Sequence, residues 1–185
     1  MKNSLKLITL YLVAFSSTLN AQKFTDTILK AEVFSSIQSL KIGSQNLKFH
    51  AKAGTMELRD EMNKPIALHG FTAYFKEDGN KDRPIIFSFN GGPGSSSYWL
   101  HMGIMGPKRI VVDDPNYNKA SPYILEDNPY SILDIADVVM MDPIGTGLSE
   151  LLGESKGKDF WGVDQDIRAT SLFIMQFLKK YDRLQ

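Results

Sequence analysis

Pro84-Ile85-Ile86-Phe87-Ser88-Phe89-Asn90-Gly91-Gly92-Pro93-Gly94-Ser95-Ser96-Ser97 is the stretch whose reading decides the fold. The apolar run Ile85 to Phe89 is short, aromatic and β-branched, which predicts a buried strand. It stops abruptly at Asn90, and three of the next four residues are glycine. Glycine permits positive φ and lets another group approach the backbone N–H without a Cβ in the way. A strand that ends in exposed N–H groups suits an oxyanion or a carboxylate. A second stretch has the same form: Asp137-Val138-Val139-Met140-Met141-Asp142 runs into Pro143-Ile144-Gly145-Thr146-Gly147-Leu148-Ser149. Two strands ending in glycine loops, each followed by helix, predict an open α/β sheet. Ligands of such sheets sit outside the carboxyl ends of the strands, so both loops are expected at one crevice.

Upstream, Leu47, Phe49, Ala51 and Ala53 alternate with polar residues, the period of a half-buried strand. Gly54 is read as its break, Met56 to Leu58 as the start of the partner strand, Arg59 to Pro65 as a turn, and Ile66 to Phe75 as an apolar run in which Phe71, Ala73 and Phe75 alternate with Thr72 and Tyr74. The charged run Lys76 to Asp82 is a hairpin loop. The N-terminal part therefore predicts an antiparallel meander feeding a central strand. Downstream, Ser95 to Met105 predicts a short helix capped by serine and ended by Gly106-Pro107. Lys108 to Val112 predicts a short strand, and Asp113 to Tyr130, with Pro115, Pro122 and Pro129, a surface loop. From Gly162 the pattern is helical, with an apolar face of Ile167, Ser171, Ile174, Leu178 and Tyr181 widened by Leu172, Met175 and Phe177. Asp164 and Asp166 near its start and Lys179, Lys180 and Arg183 near its end suit the helix dipole.

At 185 residues there is room for one ordinary domain. Twenty-one basic and twenty-one acidic residues cancel, which gives no support to a nucleic-acid partner. Without cysteine there is no disulfide, thiolate nucleophile or cysteine zinc site, and His50, His69 and His101 lack metal-ligand spacing. No metal and no cofactor are expected. Residues 1–21, with Lys2 and Lys6 around an apolar Leu5 to Phe15 and a small-residue end at Ala21, predict a secretory signal peptide. The apolar part is shorter than the roughly 20 residues of a membrane span, so an exported chain without a stable membrane span is expected. Residues 22–45 show no strict period and read as a loosely structured lead-in. Residues 46–185 form the domain.

Three motif matches are set aside. Gly94-Ser95-Ser96 lacks the lysine of a P-loop. Gly145-Thr146-Gly147-Leu148-Ser149-Glu150 puts a carboxylate where a dinucleotide fingerprint needs its third glycine. Gly153-Glu154-Ser155-Lys156-Gly157 matches a nucleophile elbow by letter, but no strand runs into it and Lys156 to Asp159 is a poor helix start. It reads as a loop. The Asn90 to Gly94 loop is the stronger candidate, because α/β hydrolases place part of the oxyanion hole in a glycine-rich loop after an early strand.

Asn90 to Ser97, Gly106-Pro107, Asn128-Pro129-Tyr130-Ser131 and Asp142 to Ser149 together resemble the serine carboxypeptidase family, and Phe160-Trp161-Gly162 resembles its bacterial branches. The pieces occur in family order over about Gly54 to Leu184. The resemblance implies an α/β fold, the N-terminal part of an α/β-hydrolase sheet: an antiparallel meander, then parallel strands with flanking helices. It implies that Asn90 and the Gly91 backbone bind the free C-terminal carboxylate of a peptide substrate, and that the Gly92 N–H is an oxyanion-hole donor. Many members carry an acidic residue two positions before the Gly-Pro, where this chain has Ile104. The family's Ser-Asp-His triad is expected beyond Gln185, so the chain is expected to be a truncated hydrolase, inactive by itself and poorly soluble. Two alternatives stay open: a hydrolase of the prolyl iminopeptidase type, and a non-catalytic exported domain that binds peptide carboxylates.

Overall fold

The computed structural model describes residues 29–91, 94–112 and 124–184. The signal-peptide segment 1–21 and Gly92 lie outside the described residues. The sheet is mixed. Its order is β1 (Val33–Ile42), β2 (Gln45–Arg59), β3 (Pro65–Lys76), β7 (Asp137–Asp142), β4 (Ile85–Phe89). The first three strands form an antiparallel meander, of which the sequence predicts the stretches in β2 and β3 but not β1, and β7 is antiparallel to β3 but parallel to β4. A two-residue strand, β8 (Glu150–Leu151), pairs with β3 at Ala67 and Leu68. The strands β5 (Lys108–Ile110) and β6 (Leu125–Asp127) form a separate pair. The fold is thus α/β in the mixed sense.

Three expectations change. The lead-in 22–45 is not loose where it is described: Val33–Ile42 is β1, paired with β2 over ten residues. It shows no strict period because it is an edge strand. Main-chain pairing holds it, and of its side chains only Leu40 is buried. Gly54 is not a break either, since β2 runs straight through it. A Cβ there would lie 2.0 Å from the Glu32 carbonyl oxygen, so the glycine serves close strand approach. Finally, β4 is not central. β7 takes the interior place, and among the described residues β4 is the edge, with Phe89 48% exposed.

β7 explains why its sequence is apolar throughout. Val139 and Met141 face one side of the sheet, and Val138 and Met140 face the other. The first side is covered by α2 (Val163–Lys180). Its buried residues are Ala169, Phe173 and Phe177, an i, i+4, i+8 stripe, whereas Ile167 and Met175 are exposed. The expected face is therefore rotated but partly shared, since Phe177 is buried and Leu172, Ile174 and Tyr181 pack against the same core. Aromatic packing decides this: Phe177 meets Phe71 and Phe87 edge-on at 5.3 and 5.5 Å, contacts that stabilise beyond their buried area. On the other side lie Leu40, Phe49, Tyr74 and Leu133.

α2 runs opposite to β7. Its start sits by the turn after β7, where the Trp161 Nε1–H donates to the Ile144 carbonyl. Beyond its last turn, Arg183 donates to Asp137 at the start of β7. This direction puts the first turn of α2 at the carboxyl end of the parallel pair.

Candidate active site

β4 and β7 are parallel and in register from Ile85 with Asp137 to Phe89 with Met141, so their glycine loops leave the sheet at the same end. After Asn90 and the glycine loop, the chain enters a single helical turn, α1 (Tyr98–Leu100), which continues as a π-helical turn over His101–Met105. Serine does not cap this turn with its side chain. The Ser97 hydroxyl instead donates to the Met141 carbonyl. Ser97 is the N-cap residue, as expected of a serine, but its own N–H donates to Asp142 Oδ1 at 2.9 Å, so an aspartate of β7 holds the start of the turn.

Asp142 joins the two loops. Its Oδ2 accepts the Leu148 N–H at 3.1 Å. Its main-chain carbonyl accepts the Ser149 hydroxyl at 2.6 Å, and Ser149 Oγ accepts the Gly70 N–H at 2.7 Å. Gly147 has φ +53°, and a Cβ there would lie 2.1 Å from Asp142 Oδ2 and 2.9 Å from the Ser96 Cβ. Only glycine allows this approach. The two glycine loops therefore touch, as the expectation of one crevice requires.

Asn90 Nδ2 donates to Ser95 Oγ at 2.7 Å and to the Gly91 carbonyl at 3.0 Å. The amide is thereby oriented within its own loop. Gly91 is exposed, and among the described residues, its chain neighbours aside, nothing lies within 4 Å of where its Cβ would be. Asn90 and Gly91 thus offer an open surface next to the contact between the loops.

A further clamp holds the π-helical turn. Asn128 is buried, and its Nδ2 donates to the carbonyls of Ile104 and Gly106, each at 2.8 Å. The Ser131 hydroxyl donates to the Met105 carbonyl at 3.3 Å. Three main-chain carbonyls that a helix end would leave unpaired are satisfied this way. Ile104 itself is 59% exposed. Asp142 and Asn128 were not singled out from the sequence as organising residues. The signal for Asp142 was a polar residue closing an otherwise apolar strand. For Asn128 it was the Asn-Pro-Tyr-Ser motif.

The histidines are structural. His69 is buried, stacks on Phe173 at 4.2 Å, and has Nδ1 3.1 Å from the Gly70 carbonyl. Burial holds its pKa down at about 4. His101 Nε2 is hydrogen-bonded to the Tyr74 hydroxyl. Burial lowers the imidazole pKa and raises that of the phenol, so the Tyr74 O–H donates to a neutral ring. His50 is partly exposed, 3.9 Å from Glu77. Ser155 lies in a turn between the two-residue β8 and a single 3₁₀ turn at Gly157–Asp159, not in a strand-to-helix elbow. It borders a hollow with Arg59, Asp159 and Arg168, and no histidine lines that hollow. Among the described residues no cluster of three histidine or carboxylate side chains could hold a metal, and no helix is long and apolar enough to cross a membrane.

The architecture defines a mixed α/β protein with two joined glycine loops at the carboxyl end of its parallel strands. A family model, serine carboxypeptidase, matches residues 43–185. The chain belongs to the serine carboxypeptidase family. It is 31% identical over 140 residues to the pheromone-processing carboxypeptidase KEX1 of Saccharomyces cerevisiae, covering 71% of this chain and 18% of that protein. It is 34% identical over 133 residues to the protein of the same name from Clavispora lusitaniae, covering 71% and 17%. It is 28% identical over 123 residues to serine carboxypeptidase-like 36 of Arabidopsis thaliana, covering 65% and 23%. The chain spans about a fifth of the length of these relatives.

Proposed function

We propose that this chain supplies the carboxylate-binding and oxyanion side of an exported serine-type carboxypeptidase of the α/β-hydrolase class, which releases C-terminal residues from peptides. The observation that carries the reading is the Asn90-Gly91 end of β4, open to solvent and joined to the second glycine turn through Asp142. In this reading Asn90 and the Gly91 backbone hold the substrate carboxylate, with an Asn90 Nδ2 hydrogen exchanging its Ser95 Oγ partner for it, and the Gly92 N–H serves as an oxyanion-hole donor. Backbone donors suit that task because they are fixed before the charge develops. Family membership weighs for this reading over one of the prolyl iminopeptidase type.

None of the three histidines is placed to activate a serine, and the only serine at a Gly-x-Ser-x-Gly match has no histidine beside it. In this reading the described residues bind a peptide and do not by themselves turn it over. Two measurements test this. N-acetylated dipeptides should bind the purified chain more tightly than their C-terminal amides, and Asn90→Ala should erase the difference. No C-terminal residue should be released. Release that disappears in Ser155→Ala would assign catalysis to Ser155 and overturn the proposal.

A further inference from the structure

Trp161 is 69% exposed, yet it is held as firmly as a core residue. Its Nε1–H donates to the Ile144 carbonyl at 3.1 Å. The ring rests on two glycines. A Cβ at Gly157 would lie 2.3 Å from it and a Cβ at Gly145 3.0 Å from its Nε1. Its neighbour Phe160 and its hydrogen-bond partner Ile144 are both buried in the core under α2, so the backbone that carries the indole is fixed as well. A ring fixed in orientation with one side open is pre-organised for a ligand, since the cost of ordering it is met before binding.

Its position says which ligand. Gly145 belongs to the second glycine turn, and Gly147 two residues further on abuts Ser96 of the Asn90 loop. The indole therefore stands beside the same carboxyl end of the sheet as the carboxylate-binding loop. Leu148, 51% exposed, lies in the same turn, and Val163, 79% exposed, opens α2 two residues after the indole. We infer that Trp161 is an aromatic platform at the edge of the peptide cleft, and that it selects peptides carrying an aromatic or large aliphatic side chain near the C-terminus. This rests on the carboxypeptidase reading above, because that reading supplies the peptide.

The chain has two tryptophans, so Trp99→Phe leaves Trp161 as the sole indole. In that background N-acetyl-Phe-Phe, N-acetyl-Ala-Ala and the C-terminal amide of each are titrated, with Trp161 emission and calorimetric Kd as readouts. N-acetyl-Phe-Phe should shift the emission and bind roughly tenfold more tightly than N-acetyl-Ala-Ala, the size of one aromatic contact. Trp161→Ala should abolish the preference, and Trp161→Phe should keep most of it. The emission shift reads the contact with the ring in place, so the test stands even if the alanine variant does not fold. Equal affinities of the two acids, or a preference that survives Trp161→Ala, would overturn the platform. Acids binding better than amides without any aromatic preference would sink the platform and leave the carboxypeptidase reading standing. An aromatic preference with acids and amides bound equally would remove the carboxypeptidase reading, and with it the assignment of the platform to a peptide C-terminus, leaving only an aromatic contact on Trp161. No binding by any of the four to the folded chain would remove both.

Discussion

β7 begins and ends with aspartate, and the two ends of the sheet differ in what that residue does. At the amino end, Asp137 has its side chain 3% exposed and accepts Arg83 Nε at 3.2 Å and Arg183 Nη1 at 2.6 Å. It also accepts the Lys76 N–H at 3.1 Å. Arg83 goes on to donate to the Leu133 and Asp134 carbonyls, and Arg183 to the Arg83 carbonyl. Every strong donor there has a partner inside the protein, and the end of α2 is bound to the strands. At the carboxyl end, Asp142 accepts main-chain N–H groups from two separate loops and draws them together. Around it Gly91, Gly94, Gly145 and Gly147 stay exposed. One aspartate closes its end with cations, and the other holds two loops in place while leaving their backbone open. Closure by charge pairing gives stability, whereas loops positioned by one carboxylate give a site.

The contrast can be broken first at the closed end. Asp137→Ala leaves two guanidinium groups buried, with side-chain exposures of 8% and 6%, and no carboxylate between them. The loss should be roughly 3–5 kcal/mol, read by urea denaturation. Peptide binding by the fraction that stays folded should be unchanged. If the variant loses less than Asp142→Ala, the closed end is not where the stability lies.

The second effect belongs to the site end and depends on pH. His69, on β3 beside Gly70 and Ser149, has a folded-state pKa of about 4 against an ordinary 6.5. As pH falls, the unfolded chain takes up this proton before the folded one. Stability from this group is therefore complete above pH 6.5, is lost between 6.5 and about 4, and changes no further below that. The shift corresponds to roughly 3 kcal/mol, and His101 acts in the same direction. The difference in unfolding free energy between wild type and His69→Gln, followed across that window, should carry this slope. A constant difference would show that the imidazole is not held neutral.

The third effect is smaller in stability and larger in function. Asp142→Ala removes the acceptor of the Ser97 and Leu148 N–H groups and should lower stability by about 2 kcal/mol. It should also abolish the preference for peptide acids over amides, because the Asn90 loop loses its tie to the second turn. Retained preference in a folded variant would show that each loop is positioned independently.

The strands were legible where burial imposes a period. β2 alternates in burial at its two ends, β3 is buried without a break from Ala67 to Phe71, and β7 is apolar at every interior position because both its faces are covered. β1 was not legible, because an edge strand held by main-chain pairing leaves its side chains in water and its sequence without a pattern. α2 was legible as a helix, but its buried face only in part: Phe177 was on the expected face, Ala169 and Phe173 were not. Ile167 and Met175 are as apolar as the residues that are buried, and what separates them is that Phe173 and Phe177 fit the aromatic residues of the strands beneath.

The sequence by itself determined the two strand-to-glycine-loop units, the separation of helix from strand and the family of the chain. All three are properties of short, contiguous stretches whose residue types restrict the backbone directly. Tertiary structure alone decided that β7 lies between β3 and β4, that Asp142 holds the start of a helical turn far away in sequence, and that Asn128 and Trp161 belong to the same end of the sheet as Asn90. Those facts depend on which distant main-chain groups come within hydrogen-bond reach once the sheet has formed, and no local pattern records them.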